Sequence, residues 1–145
     1  MKNRYKWVVT IFLIFFLYEY ITPIVRGIEY GTNLGWTWQE TLVNKQIIKH
    51  VIRLPLYGLT YLWIFLNIPK RSKTAMWTWR ASAWSHIIFK PITGVYILII
   101  GSKVGLLKTF PIISLVFLLV IVGVYLFTLF WIEKYWKIIN KEAKQ

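Results

Sequence analysis

Few side chains in this sequence can do acid, base or ligand chemistry: its five acidic residues are all Glu, there are two His, and there is neither Asp nor Cys. Without Cys there can be no disulfide, thiolate metal site or Cys nucleophile. The absence of Asp removes the commonest carboxylate of magnesium sites. Glu19 is the most informative of the remainder. It lies in the apolar run from Trp7 to Val25, twelve positions beyond Trp7, or ~18 Å at helical rise. If that run crosses a bilayer, Glu19 sits in the outer half of the hydrocarbon. A carboxylate there costs about 2.5–3.5 kcal/mol on insertion scales, so it must face other helices and find a partner. His50 and Arg53, at the entry to the next apolar segment, are the expected partners. Glu19, His50 and Arg53 thus form a candidate intramembrane polar cluster, either a proton, cation or substrate site or a structural ion pair between the first two spans.

A second group, Arg80, His86 and Lys90, is expected on the inner side. Lys90 can extend its long stem toward the cytoplasmic boundary. Pro91 frees a backbone carbonyl one turn earlier, near Ile87. On this layout His50 and His86 lie on opposite sides and cannot share a metal, and no other ligand stands at metal-binding spacing. There is no phosphate loop, dinucleotide fingerprint or nucleophile elbow, and no Ser has an adjacent base. No metal, cofactor or catalytic residue is therefore expected.

The elements that must position these residues follow from composition. The 145 residues are 57% hydrophobic, against about 45–50% in soluble domains. The expectation is an all-α membrane protein: a single domain, residues 1–145, folded as a four-helix transmembrane bundle with an additional amphipathic interfacial helix on the outer side. A span needs about 20 residues, and four segments qualify, at about 7–25, 54–68, 84–100 and 110–132. The N-terminal run has no small-residue cleavage site after it and reads as a retained span, not a signal peptide. Gly94 and Gly101, with Ser102, mark a close-packing seam on the third span, and Gly123 another on the fourth.

Charge gives the orientation. Of the 18 Lys and Arg residues, twelve fall at the N-terminus, in the connection after the second span, at Lys90 and in the C-terminal tail. The other six fall on the opposite side. This bias puts both termini in the cytoplasm of a multi-pass plasma-membrane protein. Six of the nine Trp residues, Trp7, Trp77, Trp79, Trp84, Trp131 and Trp136, fall at the inner boundary, as an interfacial belt requires. The net charge of +13 is thus flanking charge that meets anionic lipid at the cytoplasmic face, and nucleic acid is not an expected partner.

In the outer connection, Gly27, Gly31, Asn33 and Gly35 point to irregular chain. Thr37 and Glu40 have the spacing of a capping box. Apolar residues at 43, 47 and 51 then predict an amphipathic helix over about 38–53. Pro55 marks either a kink between this helix and the second span or a bend in one long helix over 37–68. In the tail, Glu133 and Lys137 stand as an i,i+4 pair.

Four spans with an acidic residue in the first are similar in layout to the small multidrug resistance transporters. The likeness ends there, because this chain is longer, Glu19 comes late in its span, and Phe16-Leu17-Tyr18-Glu19-Tyr20 lacks small residues. The thin set of titratable groups points first to an accessory or interaction protein without catalysis: a subunit, an assembly factor or an immunity-type protein, acting on another membrane protein or by self-association. The alternative is a small oligomeric transporter or channel with Glu19 as its proton or cation site. An enzyme acting on lipid through Glu19, His50 and Arg53 is disfavoured by the missing Asp and Cys.

Overall fold

The computed structural model describes residues 2–44, 47–103 and 111–144. It is all-helical, 91% helix with no strands among the described residues. The helices are α1 (Lys2–Asn33), α2 (Trp38–Asn44), α3 (Ile47–Asn67), α4 (Lys73–Lys103) and α5 (Pro111–Glu142). Among the described residues two helices are long and apolar enough to cross a membrane, Lys2–Asn33 and Val116–Glu142. The other two long helices, α3 and α4, are diluted by Thr, Tyr, Trp and charged residues.

The helices are longer than the apolar runs that predict them. α1 continues through Pro23 to Asn33, so the stretch around Gly27 and Gly31, expected to be irregular, is helical. Its two glycines are buried, and Gly31 serves close packing instead of a turn. A Cβ on Gly31 would overlap the Thr41 side chain on α2, with Thr41 Cβ itself only 2.8 Å away. Thr41 is buried and its hydroxyl donates to the Thr37 carbonyl at 3.0 Å.

The expected outer helix over 38–53 is divided between two elements. Its first part is α2, and residues 47–53 open α3, which runs unbroken through Pro55. Residues 45–46 lie outside those described. Proline removes one backbone bond, to the residue four back, and the remaining bonds on either side carry the helix through it. The capping box forms: Thr37 N–H donates to Glu40 Oε2 at 2.8 Å, and Glu40 N–H donates to Thr37 Oγ1 at 3.3 Å.

α4 starts at Lys73, eleven residues before the expected span, and also passes through its proline, Pro91. Ser72 caps it, accepting from Ala75 N–H at 3.2 Å. α5 carries the fourth apolar run into the charged tail as one helix; Phe110 lies outside the described residues. A Cβ on Gly94 would meet Leu118 Cδ2 at 2.9 Å, so this glycine does mark a close approach of α4 to α5. Gly123 has nothing within 4 Å of an added Cβ and marks none. The surroundings of Gly101 and Ser102 are not among those described.

The four long helices meet around Phe12, which is 0% exposed. Its ring stands edge-on to Tyr61 at 5.1 Å, Phe65 at 5.5 Å, Trp79 at 5.2 Å and Tyr125 at 5.3 Å. One ring of α1 thereby touches rings of α3, α4 and α5 in the edge-to-face geometry that aromatic quadrupoles favour. Trp79, expected in the boundary belt, is 0% exposed and belongs to this core. It differs from Trp77 and Trp84, which are exposed, because it lies on the face of α4 shared with Ala75 and Ala83. Those small residues let the partner helices come close. Toward the chain ends Tyr5 stacks on Tyr135 at 4.3 Å and donates to the Phe65 carbonyl at 2.7 Å.

Candidate functional site

All four long helices contribute to a polar pocket of about 290 Å³. α1 supplies Glu19, Tyr20 and Pro23, α3 supplies His50 and Arg53, α4 supplies Lys90, and α5 supplies Phe117 and Ile121. Glu19, His50 and Arg53 therefore line one cavity, together with Lys90, which the sequence assigns to the inner side.

Lys90 Nζ donates to Glu19 Oε1 in an ion pair. This replaces the expected extension of Lys90 toward the cytoplasm, and the early start of α4 explains why. Lys90 is thirteen residues beyond Trp77, or ~20 Å along the helix. Glu19 is at nearly the same height above Trp7, ~18 Å. From a matching height on the next helix, a lysine stem can reach the carboxylate directly. The Glu19 side chain is 9% exposed and that of Lys90 32%. Glu19 Oε2 is buried with no hydrogen-bond partner, leaving an acceptor of unused capacity beside the pocket.

Arg53 and His50 line the same pocket, and neither holds an ion pair with Glu19. His50 lies in the opening turn of α3, ahead of the expected span. Tyr20 is held by rings on both sides, Phe16 at 4.7 Å and Tyr57 at 5.8 Å.

His86 and Arg80 lie nearer the start of α4 and do not line this pocket. His86 stacks flat on Tyr125 at 4.4 Å, and its Nδ1 is 2.9 Å from the Ser82 carbonyl. The Tyr61 hydroxyl lies 2.8 Å from Ser82 Oγ and 3.5 Å from the Tyr125 hydroxyl, so the core is crossed by a short hydroxyl network. Arg80 makes a two-pronged ion pair with Glu133, through Nε to Oε1 and through Nη2 to Oε2 at 2.9 Å. Glu133 is therefore engaged across the α4–α5 interface and not with Lys137, its neighbour one turn on. The bidentate fork of an Arg outcompetes a solvated helical pair because both carboxylate oxygens are satisfied at once.

Sequence reasoning finds the charged members of the pocket and misses its walls. Phe117 and Ile121 look like any other residues of an apolar run, and only helix packing selects them. Among the described residues there is no group of three or more His, Cys, Asp or Glu that could hold a metal.

The fold and site together define an all-helical protein with two helices fit to cross a membrane and an internal pocket lined by charge. Compared with known proteins, the chain matches no family model, no curated protein and no solved structure.

Proposed function

We propose that the chain is a small four-span protein of the plasma membrane, with both termini in the cytoplasm, that acts as an accessory or interaction protein without catalysis. The observation that carries this reading is the use of its charges. Glu19–Lys90 ties α1 to α4, and Arg80–Glu133 ties α4 to α5, so the acidic groups within the bundle brace helices and none is paired with a nucleophile. Length supports four spans. α3 has 21 residues and α4 has 31, or ~32 and ~46 Å, against ~30 Å of hydrocarbon. Each long helix also turns large apolar residues outward, among them Ile14, Leu59, Ile92 and Leu119. An even number of spans brings the cationic N-terminus, the connection before α4 and the lysine-rich tail to one side.

Reporter fusions at the two termini test the topology, with cytoplasmic signals expected from both; one external terminus overturns it. Mild detergent extraction tests the role. A stoichiometric membrane partner is expected, and a homogeneous single chain overturns the accessory assignment.

A second reading, a small oligomeric transporter or channel, is favoured by the pocket that gathers Glu19, Lys90, Arg53 and His50. In proteoliposomes Glu19→Gln would then abolish proton-coupled cation flux in a protein that still folds. Unchanged flux removes this reading.

A further inference from the structure

α5 carries one continuous stripe that changes character along its length. Leu119, Leu126 and Phe130 are exposed and are followed on the same face, in steps of three, four or seven residues, by Lys137, Lys141 and Lys144. Such steps keep side chains on one side of a helix. The three lysines meet Lys73, from the first turn of α4, around a concavity of about 580 Å³ that Trp136 and Asn140 also line. Like charges at i,i+4 repel, and the acid that would relieve Lys137, Glu133, is held by Arg80. The cradle therefore holds four cations and no carboxylate among its lining residues.

We propose that this cradle binds the phosphodiester headgroup of an anionic phospholipid, with an acyl chain lying along the Phe130–Leu126–Leu119 stripe. The inference rests on the membrane-spanning reading above and deepens it by naming the lipid partner and its site. Charge complementarity selects an anionic headgroup. Continuity with an exposed apolar stripe selects a lipid over a free phosphate, since only an amphiphile satisfies both ends of the same helix face. Trp136 suits the junction, having an apolar ring and one donor.

The test uses the full chain in nanodiscs of phosphatidylcholine with added phosphatidylglycerol, and native mass spectrometry of the lipid retained on release. The wild type is expected to retain phosphatidylglycerol preferentially. Lys137→Gln/Lys141→Gln should weaken that preference about tenfold, and Lys73→Gln on the other helix several-fold. Lys2→Gln/Lys6→Gln, which removes equal charge at the start of α1, should leave it intact. Equal loss in all variants, or no loss in any, assigns retention to net charge and overturns the site. Displacement of the lipid by soluble pyrophosphate overturns the lipid in favour of a free anion, and resistance to it supports the lipid. Circular dichroism checks that each variant remains helical. Release of the protein from native membranes by alkaline carbonate would instead refute the spanning reading itself, whatever lipid is retained.

Discussion

Lys90 on α4 and Glu19 on α1, 71 residues apart in sequence, form an ion pair in the wall of the pocket that all four long helices line. Removing one partner leaves the other charge with no mate at a site where the Glu19 side chain is only 9% exposed. Glu19→Gln or Lys90→Met alone should therefore destabilise the protein by about 1–3 kcal/mol, below the usual figure for a fully buried pair because Lys90 is partly exposed. The double variant should recover much of the loss. Thermal unfolding in detergent gives the double-mutant cycle, and a coupling energy near zero would show that the pair contributes nothing.

That pair also shows where the sequence is legible and where it is not. Glu19 stands out at once, because a carboxylate in an apolar run demands a partner. Choosing the partner needs the height of Lys90, and that depends on where α4 begins. Residues 73–83 are too polar to read as part of a span, yet they continue the same helix downward and set Lys90 at the level of Glu19. Trp79 is hidden for a related reason: its indole is chemically the same as that of Trp77, and only the small neighbours Ala75 and Ala83 distinguish the packed face. The glycines at 27 and 31 mislead because a missing side chain serves a turn and a close helix approach equally well. The capping box of Thr37 and Glu40 is legible because it is wholly local.

Arg80 and Glu133 offer a contrast with local pairing. Both are partly exposed, so the bridge should be worth only about 0.5–1 kcal/mol. A double-mutant cycle between Arg80→Gln and Glu133→Gln should show this coupling, while the cycle between Glu133→Gln and Lys137→Gln should show none. The reverse result would return Glu133 to its neighbour on α5 and weaken the case for an acid-free lysine cradle.

Gly31→Ala should dislodge α2 from α1, because the added methyl overlaps the side chain of Thr41. The neighbouring ring pair, Tyr30 and Trp36 at 5.7 Å, should be disturbed with it. A cysteine pair introduced across α1 and α2 would report the separation as lost cross-linking. Combining Gly31→Ala with Thr41→Gly should restore it, since the second change removes the obstructing atoms. Persistent cross-linking in Gly31→Ala would mean that the two helices do not pack as closely as described.

The start of α2 should respond to acid. The Glu40 pKa is lowered by the Thr37 backbone N–H and then by the Thr37 hydroxyl, so folding favours the ionised carboxylate. A lowered native pKa contributes stability that is present above the unfolded value of 4.5 and is lost as pH falls through the native value. Amide resonances of residues 38–41 should therefore shift toward unstructured positions below about pH 4.5, with no such transition in Glu40→Gln. The same transition in that variant would assign it to another group.

Phe12 should be the most costly single truncation in the core. Its ring touches Tyr61, Phe65, Trp79 and Tyr125, and among the described residues no other ring bridges α1 to all three other long helices in this way. Phe12→Ala removes four edge-to-face contacts and leaves a cavity that rigid helices cannot readily fill, a loss of about 3–5 kcal/mol. Phe12→Leu keeps most of the volume but not the quadrupole, and should cost about half as much. The outward-facing Phe89 on α4 is exposed, so Phe89→Ala serves as the control for loss of an aromatic that faces the surroundings. Unfolding midpoints in one detergent should rank wild type and Phe89→Ala together, then Phe12→Leu, then Phe12→Ala. If Phe12→Ala unfolds with the control, the helices are not organised around this ring.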